Sequence, residues 1–140
     1  MSRALGIDFG TRRIGLALSD PTGILASPLP FLENTGIQQV VSKLKEMVES
    51  QGIETIVVGL PRNMDGTYGP AVERVRSFIA QIQSEISAKI VTQDERLTTS
   101  QASRDLAGMG LSQKELRKKV DSSSATLILQ QFLDRTQPNP

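Results

Sequence analysis

Three carboxylates occupy positions in the sequence where an ordinary surface acid would be unusual. Asp8 interrupts the segment 5–11, whose alternating apolar residues are typical of a short buried strand. Glu95 lies just past another strand-like segment, and Asp121 shares a helix face with the apolar positions that follow it. Burying a carboxylate is costly unless a base, hydrogen bonds or a metal ion compensates its charge. These three acids are therefore the candidate catalytic and metal-binding residues.

Each acid also has a simpler explanation. Asp8 could sit at a strand end and accept only backbone hydrogen bonds. Glu95 could form an ordinary ion pair with Arg62 or Arg96. Asp121 is predicted in the first turn of the last helix, where a carboxylate stabilises the helix dipole. The catalytic interpretation depends on the three acids lying together.

The residue types that are absent restrict the chemistry. The 140 residues include no cysteine and no histidine, which excludes thiol nucleophiles, Ser-His-Asp triads, thiolate metal sites and ordinary zinc sites. Catalysis would have to use carboxylates, lysines, hydroxyls or backbone amides. A bound metal would have oxygen ligands, which favours Mg²⁺ or Mn²⁺.

Length and charge set further bounds. The chain suffices for one domain, predicted over residues 1–136, with a disordered tail at 137–140. The formal net charge is +1, so affinity for nucleic acid would have to come from local basic clusters. No apolar run approaches the roughly 18 residues of a membrane span, and an acid at position 8 comes too early for a signal peptide. We therefore expect a cytoplasmic protein without membrane contact.

The order of the predicted elements indicates an α/β fold. The first three strands are joined by tight turns and form an antiparallel meander, whereas the later strands alternate with helices and add in parallel. Pro28 and Pro30 place the third strand at a sheet edge. The expected elements are strands at 3–9, 14–19 and 24–32, a helix ending at Gly52, a strand at 55–59, a helix from Pro70 with its inward stripe at Val72, Val75, Ile79, Ile82 and Ile86, a strand at 89–92, a helix through Ala102, Leu106 and Met109, a short basic helix from Ser112, and a last helix from about Val120 to Leu133.

The three acids are expected to meet at one edge of this sheet. Sites in sheets with parallel strands form at the carboxyl ends of those strands, and Asp8 and Glu95 both lie near strand ends. Crowded carboxylates repel one another and need cations between them. Two Mg²⁺ ions roughly 3.5–4 Å apart would align an in-line displacement at phosphorus, one activating water and the other stabilising the leaving oxygen.

Basic residues flank these acids. Arg12 and Arg13 follow Asp8, and Lys118 and Lys119 close a basic run that precedes Asp121. Such side chains would hold the phosphates of a polyanion. A charge run is most often only a solvated face, but this one adjoins the acidic positions, which favours nucleic acid as the partner.

Four segments of the chain resemble the YqgF/RuvX family, whose members have a ribonuclease-H-like fold. The segments cover residues 6–15, 58–67, 94–99 and 118–121 with 128–130, in the family's order and over nearly the whole chain. The resemblance implies a ribonuclease-H-like, mixed five-stranded sheet. Members of the family have been described as Holliday junction resolvases and as nucleases that mature the 5′ end of the small-subunit ribosomal RNA precursor.

The resemblance also implies roles for individual residues. The family's catalytic and metal-binding acids fall on Asp8, Glu95 and Asp121, and its Pro-x-Asn loop falls on Pro61 and Asn63. We therefore expect a nuclease, acting as a monomer or weak homodimer, that uses Mg²⁺ or Mn²⁺, with two ions in the site. The residues expected to bind nucleic acid are Arg12, Arg13, Arg62, Asn63, Arg96, Lys118 and Lys119.

One segment departs from the family's usual pattern. Relatives often carry a lysine and paired alanines after the last aspartate, where this chain has Ser122, Ser123, Ser124 and Ala125. The absence of the lysine would remove a phosphate contact, while small residues at 124 and 125 still permit close packing. The sequence leaves open whether Asp94 joins the three acids.

Other interpretations compete with a ribosomal RNA nuclease. The segment 8–11 also matches the first phosphate loop of ATP-binding proteins of the actin and sugar-kinase class, but those proteins need two such domains around the nucleotide. A Rossmann fold is disfavoured because Gly6, Gly10 and Gly15 do not form G-x-G-x-x-G. A Holliday junction resolvase acting on branched DNA and a non-catalytic RNA-binding module both remain open.

Overall fold

Short apolar segments and amphipathic helices alternate along the chain and build one five-stranded sheet with helices on both faces. A computed structural model describes residues 3–60, 69–94 and 113–136, with residues 94, 113–123 and 136 described by their backbone alone. The elements are β1 (Arg3–Phe9), β2 (Arg13–Ser19), β3 (Ala26–Glu33), α1 (Ile37–Gln51), β4 (Ile53–Leu60), α2 (Pro70–Glu85), β5 (Lys89–Asp94) and α3 (Gln113–Thr136).

The strands lie in the order β3-β2-β1-β4-β5, with β1 in the centre. The β1–β2 and β2–β3 pairs are antiparallel, whereas β1–β4 and β4–β5 are parallel. This confirms the predicted mixed sheet, in which a meander is extended by two parallel strands. The terminal position of β3 agrees with Pro28 and Pro30, which cannot donate to a second neighbouring strand.

Helices α1 and α2 cover one face of the sheet with a large aliphatic core. Leu5 and Ile7 of β1 pack there with Leu44 of α1 and Phe78 of α2, and all four are fully buried. Helix α1 ends as predicted at Gly52, which adopts a left-handed conformation (φ 65°) and donates its backbone N–H to the carbonyl of Val48.

Helix α3 covers the opposite face, where the sheet presents small residues. Ala4 and Ala17 lie beneath Ala125, Ile128 and Leu129 of α3, in a second and separate buried cluster. Small side chains on the sheet let the helix axis approach closely. Two helices and a large aliphatic core therefore cover one face of the sheet, and a single close-packed helix covers the other.

The predicted inward stripe of α2 is confirmed at Val72, Val75, Ile82 and Ile86, which are all buried, but it left out Phe78. The helix begins at Pro70, as expected, but Phe78 is buried and Ile79 is only half-buried. The ring of Phe78 also stacks on that of Phe9, with the two centroids 4.3 Å apart.

The prediction of two helices at the end of the chain was also wrong. Residues from Gln113 to Thr136 form one continuous helix, not a short basic helix followed by another from Val120. The segment 113–123 contains no glycine or proline and consists largely of residues compatible with a helix. Asp121 consequently lies in the interior of α3, beyond the first turn in which a helix dipole acts on a carboxylate.

Strand β3 begins later than predicted, at Ala26 in place of Ile24. Ile24 and Leu25 belong to the preceding turn and expose 56% and 60% of their surface. Their backbone N–H groups donate to the Asp20 carboxylate, which fixes the turn and ends the β2–β3 pairing.

Two predicted segments lie outside the described residues, namely the helix through Ala102, Leu106 and Met109 and the tail at 137–140. Among the helices of residues 3–60, 69–94 and 113–136, none is long and apolar enough to cross a membrane.

Candidate active site

Asp8 lies near the carboxyl end of the central strand, on the face that α3 covers. Side chains alternate between faces along a strand, and Ala4 and Gly6 of β1 face α3. Asp8 therefore shares that face, and its side chain is half-buried. Its register partner on β2 is Gly15, which has no side chain to cover the carboxylate. The prediction that Asp8 lies near the end of the first strand is thus confirmed.

Helix α3 crosses β1 at a very short distance at Gly6, two residues before Asp8. A Cβ built on Gly6 would lie 2.7 Å from the Cβ of Leu129 and 2.8 Å from the carbonyl oxygen of Ala125. Both distances are below those that real Cβ atoms make. Glycine at position 6 is therefore what allows the helix to pass directly over the central strand.

The direction of α3 follows from a second contact. The Oε1 atom of Gln130 accepts a 2.8 Å hydrogen bond from the backbone N–H of Ala26. Ala26 pairs with Ser19, whose hydroxyl accepts from the backbone N–H of Ala4, so this contact lies at the amino end of β1. Since Ala125 and Leu129 lie over Gly6, the preceding turns of α3 run toward the Asp8 end. The turn that contains Asp121 is the one before Ala125.

The turn that follows Asp8 is fixed by a side chain from outside the first two strands. The Nδ2 atom of Asn34 donates to the carbonyl of Gly10 at 3.0 Å, and the Asn34 backbone N–H donates to the carbonyl of Arg12 at 2.8 Å. A Cβ on Gly10 would lie 2.3 Å from the carbonyl oxygen of Arg13, so a larger residue would open this turn. Asn34 therefore holds the segment that carries the two predicted phosphate-binding arginines.

The two arginines differ in their surroundings. Arg12 is exposed on the turn, whereas Arg13 is half-buried and its guanidinium lies 5.5 Å from the centroid of the Phe31 ring. The distance is within the range of a cation–π contact. Arg12 is accordingly the freer of the two to reach a phosphate in solution.

Near the carboxyl end of β5, hydrogen bonds connect this strand to α3. The Nε2 atom of Gln93 donates to Oε1 of Gln131 at 3.1 Å, and Arg135 donates to Gln93. Gln93 thus faces α3, as Asp8 does. The strand ends at Asp94, immediately before Glu95.

The remaining predicted site residues are described in part or not at all. Lys118, Lys119 and Asp121 belong to the stretch of α3 described by its backbone. Among the described side chains, no group of three or more acids could hold a metal ion. The described part of the chain therefore brings together Asp8, the arginine turn and α3. The predicted site residues outside the described ranges are Arg62, Asn63, Glu95 and Arg96.

Sequence reasoning did not identify Asn34 or Gln130 as residues that position this site. Asn34 lies in a run of turn-forming residues, which signals a turn but not its partner. Gln130 bonds to residues 104 and 106 positions away, and no local pattern contains that information.

The fold is ribonuclease-H-like, of the resolvase type. Its central strand carries an acid near its end and has antiparallel neighbours on one side and parallel strands on the other, and a helix crosses one face of the sheet. Solved structures with the same fold include T. thermophilus RuvC in complex with Holliday junction substrate, at TM-score 0.62 and 15% identity over 96% of both chains. Fowlpox virus resolvase with Holliday junction DNA gives a TM-score of 0.61 at 12% identity, covering 97% of this chain and 99% of the other.

Sequence comparison identifies the family. The family model RuvX, described as Holliday junction resolvase, matches residues 2–135, and the chain belongs to this family. A relative from Moorella thermoacetica is 44% identical over 98% of both chains, and one from Desulforudis audaxviator is 38% identical over 94% of both. Both carry the name "Putative pre-16S rRNA nuclease". Family and fold together support a nuclease.

Proposed function

We propose that the chain is a divalent-metal-dependent nuclease that hydrolyses phosphodiester bonds in structured nucleic acid and processes the 5′ end of the 16S ribosomal RNA precursor. The observation that carries the proposal is the position of Asp8. Its carboxylate stands at the end of the central strand on the face crossed by α3, and the turn of α3 that contains Asp121 runs toward that end.

The proposed metal ligands are Asp8, Glu95 and Asp121. Glu95 is proposed as the third acid because it follows directly after β5, the strand in which Gln93 faces α3. Carboxylate oxygens are the ligands that Mg²⁺ and Mn²⁺ prefer, and the chain has neither histidine nor cysteine to offer another set. Two such ions, when bound, supply an activated water and charge stabilisation at the leaving oxygen.

The chain's own residues would bind and orient the substrate strand. Arg12, held on its turn by Asn34, would contact a phosphate near the reacting bond. Charge-assisted contacts of this kind fix a strand without reading its sequence. The further residues proposed for phosphate contact are Arg13, Arg62, Asn63, Arg96, Lys118 and Lys119.

Relatives and structural neighbours favour different substrates. The relatives at 38–44% identity bear the name of a ribosomal RNA nuclease, whereas the structures at 12–15% identity contain Holliday junction DNA. The more similar proteins carry more weight for the substrate, so precursor RNA is the primary proposal. Branched DNA is the second candidate.

The test compares cleavage of both substrates by wild type and by Asp8→Asn. Each is incubated with Mg²⁺, with Mn²⁺ and with a chelator, using precursor RNA that spans the 5′ end of 16S and a four-way DNA junction. We expect metal-dependent cleavage of the RNA by wild type and none by Asp8→Asn. Glu49→Gln, which removes an exposed acid from α1, serves as the control and should cleave as wild type does.

The outcome also separates the remaining alternatives. Equal cleavage by wild type and Asp8→Asn would overturn the proposal. Preferential cleavage of the junction would favour the resolvase, and metal-independent binding of RNA without cleavage would favour an RNA-binding module. Calorimetric titration with Mn²⁺ gives a readout independent of activity, since Asp8→Asn should weaken metal binding.

A further inference from the structure

A cavity of about 450 Å³ opens beside the end of β1 on the side of the sheet opposite to α3. It lies between the end of β1, the start of α1 and one stripe of α2. Its volume is within the range of roughly 300–1,000 Å³ that small-molecule sites occupy. The residues that give it chemical character are Phe9, Asn34, Arg74, Ser77, Phe78 and Gln81.

The wall of the cavity is aromatic. The rings of Phe9 and Phe78 stack at 4.3 Å with 22° between their planes. Phe78 is fully buried and holds Phe9, which is only half-buried and borders the open space. A base that entered the cavity would therefore meet a ring that is already fixed in place, and base–aromatic contact is the main sequence-independent attraction for unpaired strands.

Polar and cationic groups surround this aromatic wall. Arg74, Ser77 and Gln81 follow one another at helical spacing on α2, and the first two are exposed. Asn34 lies across from them, its amide fixed by the hydrogen bond to Gly10. A guanidinium suits a phosphate, while amide and hydroxyl groups suit the edge of a base or a ribose.

We propose that this cavity binds an unpaired nucleotide of the nucleic-acid strand that crosses the end of β1. The proposal rests on the nuclease function proposed above and names a substrate subsite for it. Asp8 and Phe9 are consecutive and so face opposite sides of the sheet, and Thr11, which also lines the cavity, is three residues from Asp8. The Cα atoms of Asp8 and Thr11 are at most about 11 Å apart, so a single nucleic-acid strand can reach both the carboxylate and the cavity.

The test measures binding in a chelator, where hydrolysis does not occur. A fluorescein-labelled single-stranded decanucleotide and a blunt duplex of equal length are titrated with wild type, Arg74→Ala and Arg76→Ala. Arg76 lies on the same helix but outside the cavity, where it forms an ion pair with Glu73. Replacing it with alanine makes the same change in net charge as Arg74→Ala. We expect Arg74→Ala to weaken single-strand binding about tenfold, with little change in duplex binding, and Arg76→Ala to change neither by more than about twofold.

A second arm distinguishes nucleotide binding from simple charge attraction. Adenosine 5′-monophosphate and ribose 5-phosphate are titrated into ¹⁵N-labelled protein, and the amide shifts of Ser77 and Asn34 are followed. The mononucleotide should shift both signals saturably, ribose 5-phosphate should do so much less, and Ser77→Glu should abolish the response by placing a negative charge at the cavity.

The outcomes separate this proposal from the nuclease proposal. Equal losses for Arg74→Ala and Arg76→Ala, or no saturable shift with the mononucleotide, would overturn the cavity assignment even if Asp8→Asn abolishes cleavage. Selective binding in the cavity by a wild-type protein that cleaves nothing would overturn the nuclease alone.

Discussion

Gly6 of β1 lies in direct contact with Leu129 of α3, so closely that a methyl group at residue 6 would stand 2.7 Å from the Leu129 Cβ. The same methyl group would be 2.8 Å from the carbonyl oxygen of Ala125, which belongs to the helix backbone and cannot rotate away. The separation of α3 from the central strand is therefore set by a missing side chain. Asp8 is two residues from this contact, and Asp121 is one helical turn from it.

Gly6→Ala should damage activity more than its effect on stability explains. Overpacking of this kind costs about 1–3 kcal/mol in the free energy of unfolding, and it should lift the turn of α3 that contains Asp121 away from Asp8. Urea denaturation gives the stability, and cleavage of precursor RNA at 25 °C, where the variant is still folded, gives the activity.

Gly52→Ala supplies a matched glycine control. Gly52 has a left-handed conformation (φ 65°) with open space around it, so alanine there introduces backbone strain of about 1–2 kcal/mol without a steric clash. It lies at the end of α1, away from Asp8. If both variants lose equal stability and equal activity, the close approach at Gly6 has no particular role in the site.

Local patterns in the sequence predicted the parts of the fold that local forces determine. Alternation identified β1, and the glycine after α1 marked its end, because strand faces and helix caps are decided within a few residues. The continuous helix Gln113–Thr136 was missed because its first half is polar and has no apolar stripe from which its period can be recognised. Phe78 was missed although it lies three residues after Val75 and four before Ile82, because helical spacing alone does not decide whether Phe78 or Ile79 takes the inward position.

The candidate site was predicted unevenly for the same physical reason. Asp8 was identified because an acid in an apolar strand is costly, which is a local anomaly. Asn34 and Gln130 position the site through partners 24 and 104 residues away, and their own neighbourhoods do not indicate those partners. Glu95 and Asp121 stay predictions as metal ligands.

Gln130 should be the most important polar side chain for attaching α3 to the sheet edge. It accepts from the Ala26 N–H at 2.8 Å and donates to the Ile24 carbonyl at 2.9 Å. Gln130→Ala would leave a partly buried backbone N–H without its partner, at a cost of about 1–3 kcal/mol. Chemical denaturation measures this loss. The adjacent Gln131→Ala, whose hydrogen bond to Gln93 is exposed, should cost less than about 1 kcal/mol, and an equal cost for both would contradict the assignment.

Asp20 should make the protein's stability depend on acid pH. Hydrogen bonds from the Thr22 hydroxyl and from the backbone N–H groups of Leu25 and Ile24 lower the pKa of Asp20 from 3.8 to about 2. Because the folded-state pKa is depressed, the stabilisation is complete above about pH 4 and is lost as the pH falls from about 4 to about 2. The measurement is the melting temperature of wild type and Asp20→Asn from pH 7 to pH 2.

Asparagine imitates the protonated acid, so the difference between the two melting curves isolates this one group. We expect the variant to melt lower than wild type by a constant amount from pH 7 to about pH 5, and the difference to shrink toward zero near pH 2. Glu54→Gln, an exposed acid on β4, controls for the loss of a negative charge. A difference between wild type and Asp20→Asn that persists unchanged at pH 2 would contradict the prediction.

Arg12 should contribute to nucleic-acid binding through a phosphate contact. Its side chain is exposed on the turn that Asn34 holds, whereas Arg13 packs over Phe31, so Arg13→Ala would mix a loss of packing with a loss of charge. Each phosphate contact contributes about 0.7–0.9 to the slope of log K against log salt. Arg12→Ala should lower the slope by about that amount, and Lys45→Ala, which removes an exposed cation from α1, should leave it unchanged. Anisotropy titrations of precursor RNA in a chelator at 50 to 300 mM KCl give both slopes, and identical slopes for wild type and Arg12→Ala would remove Arg12 from the binding surface.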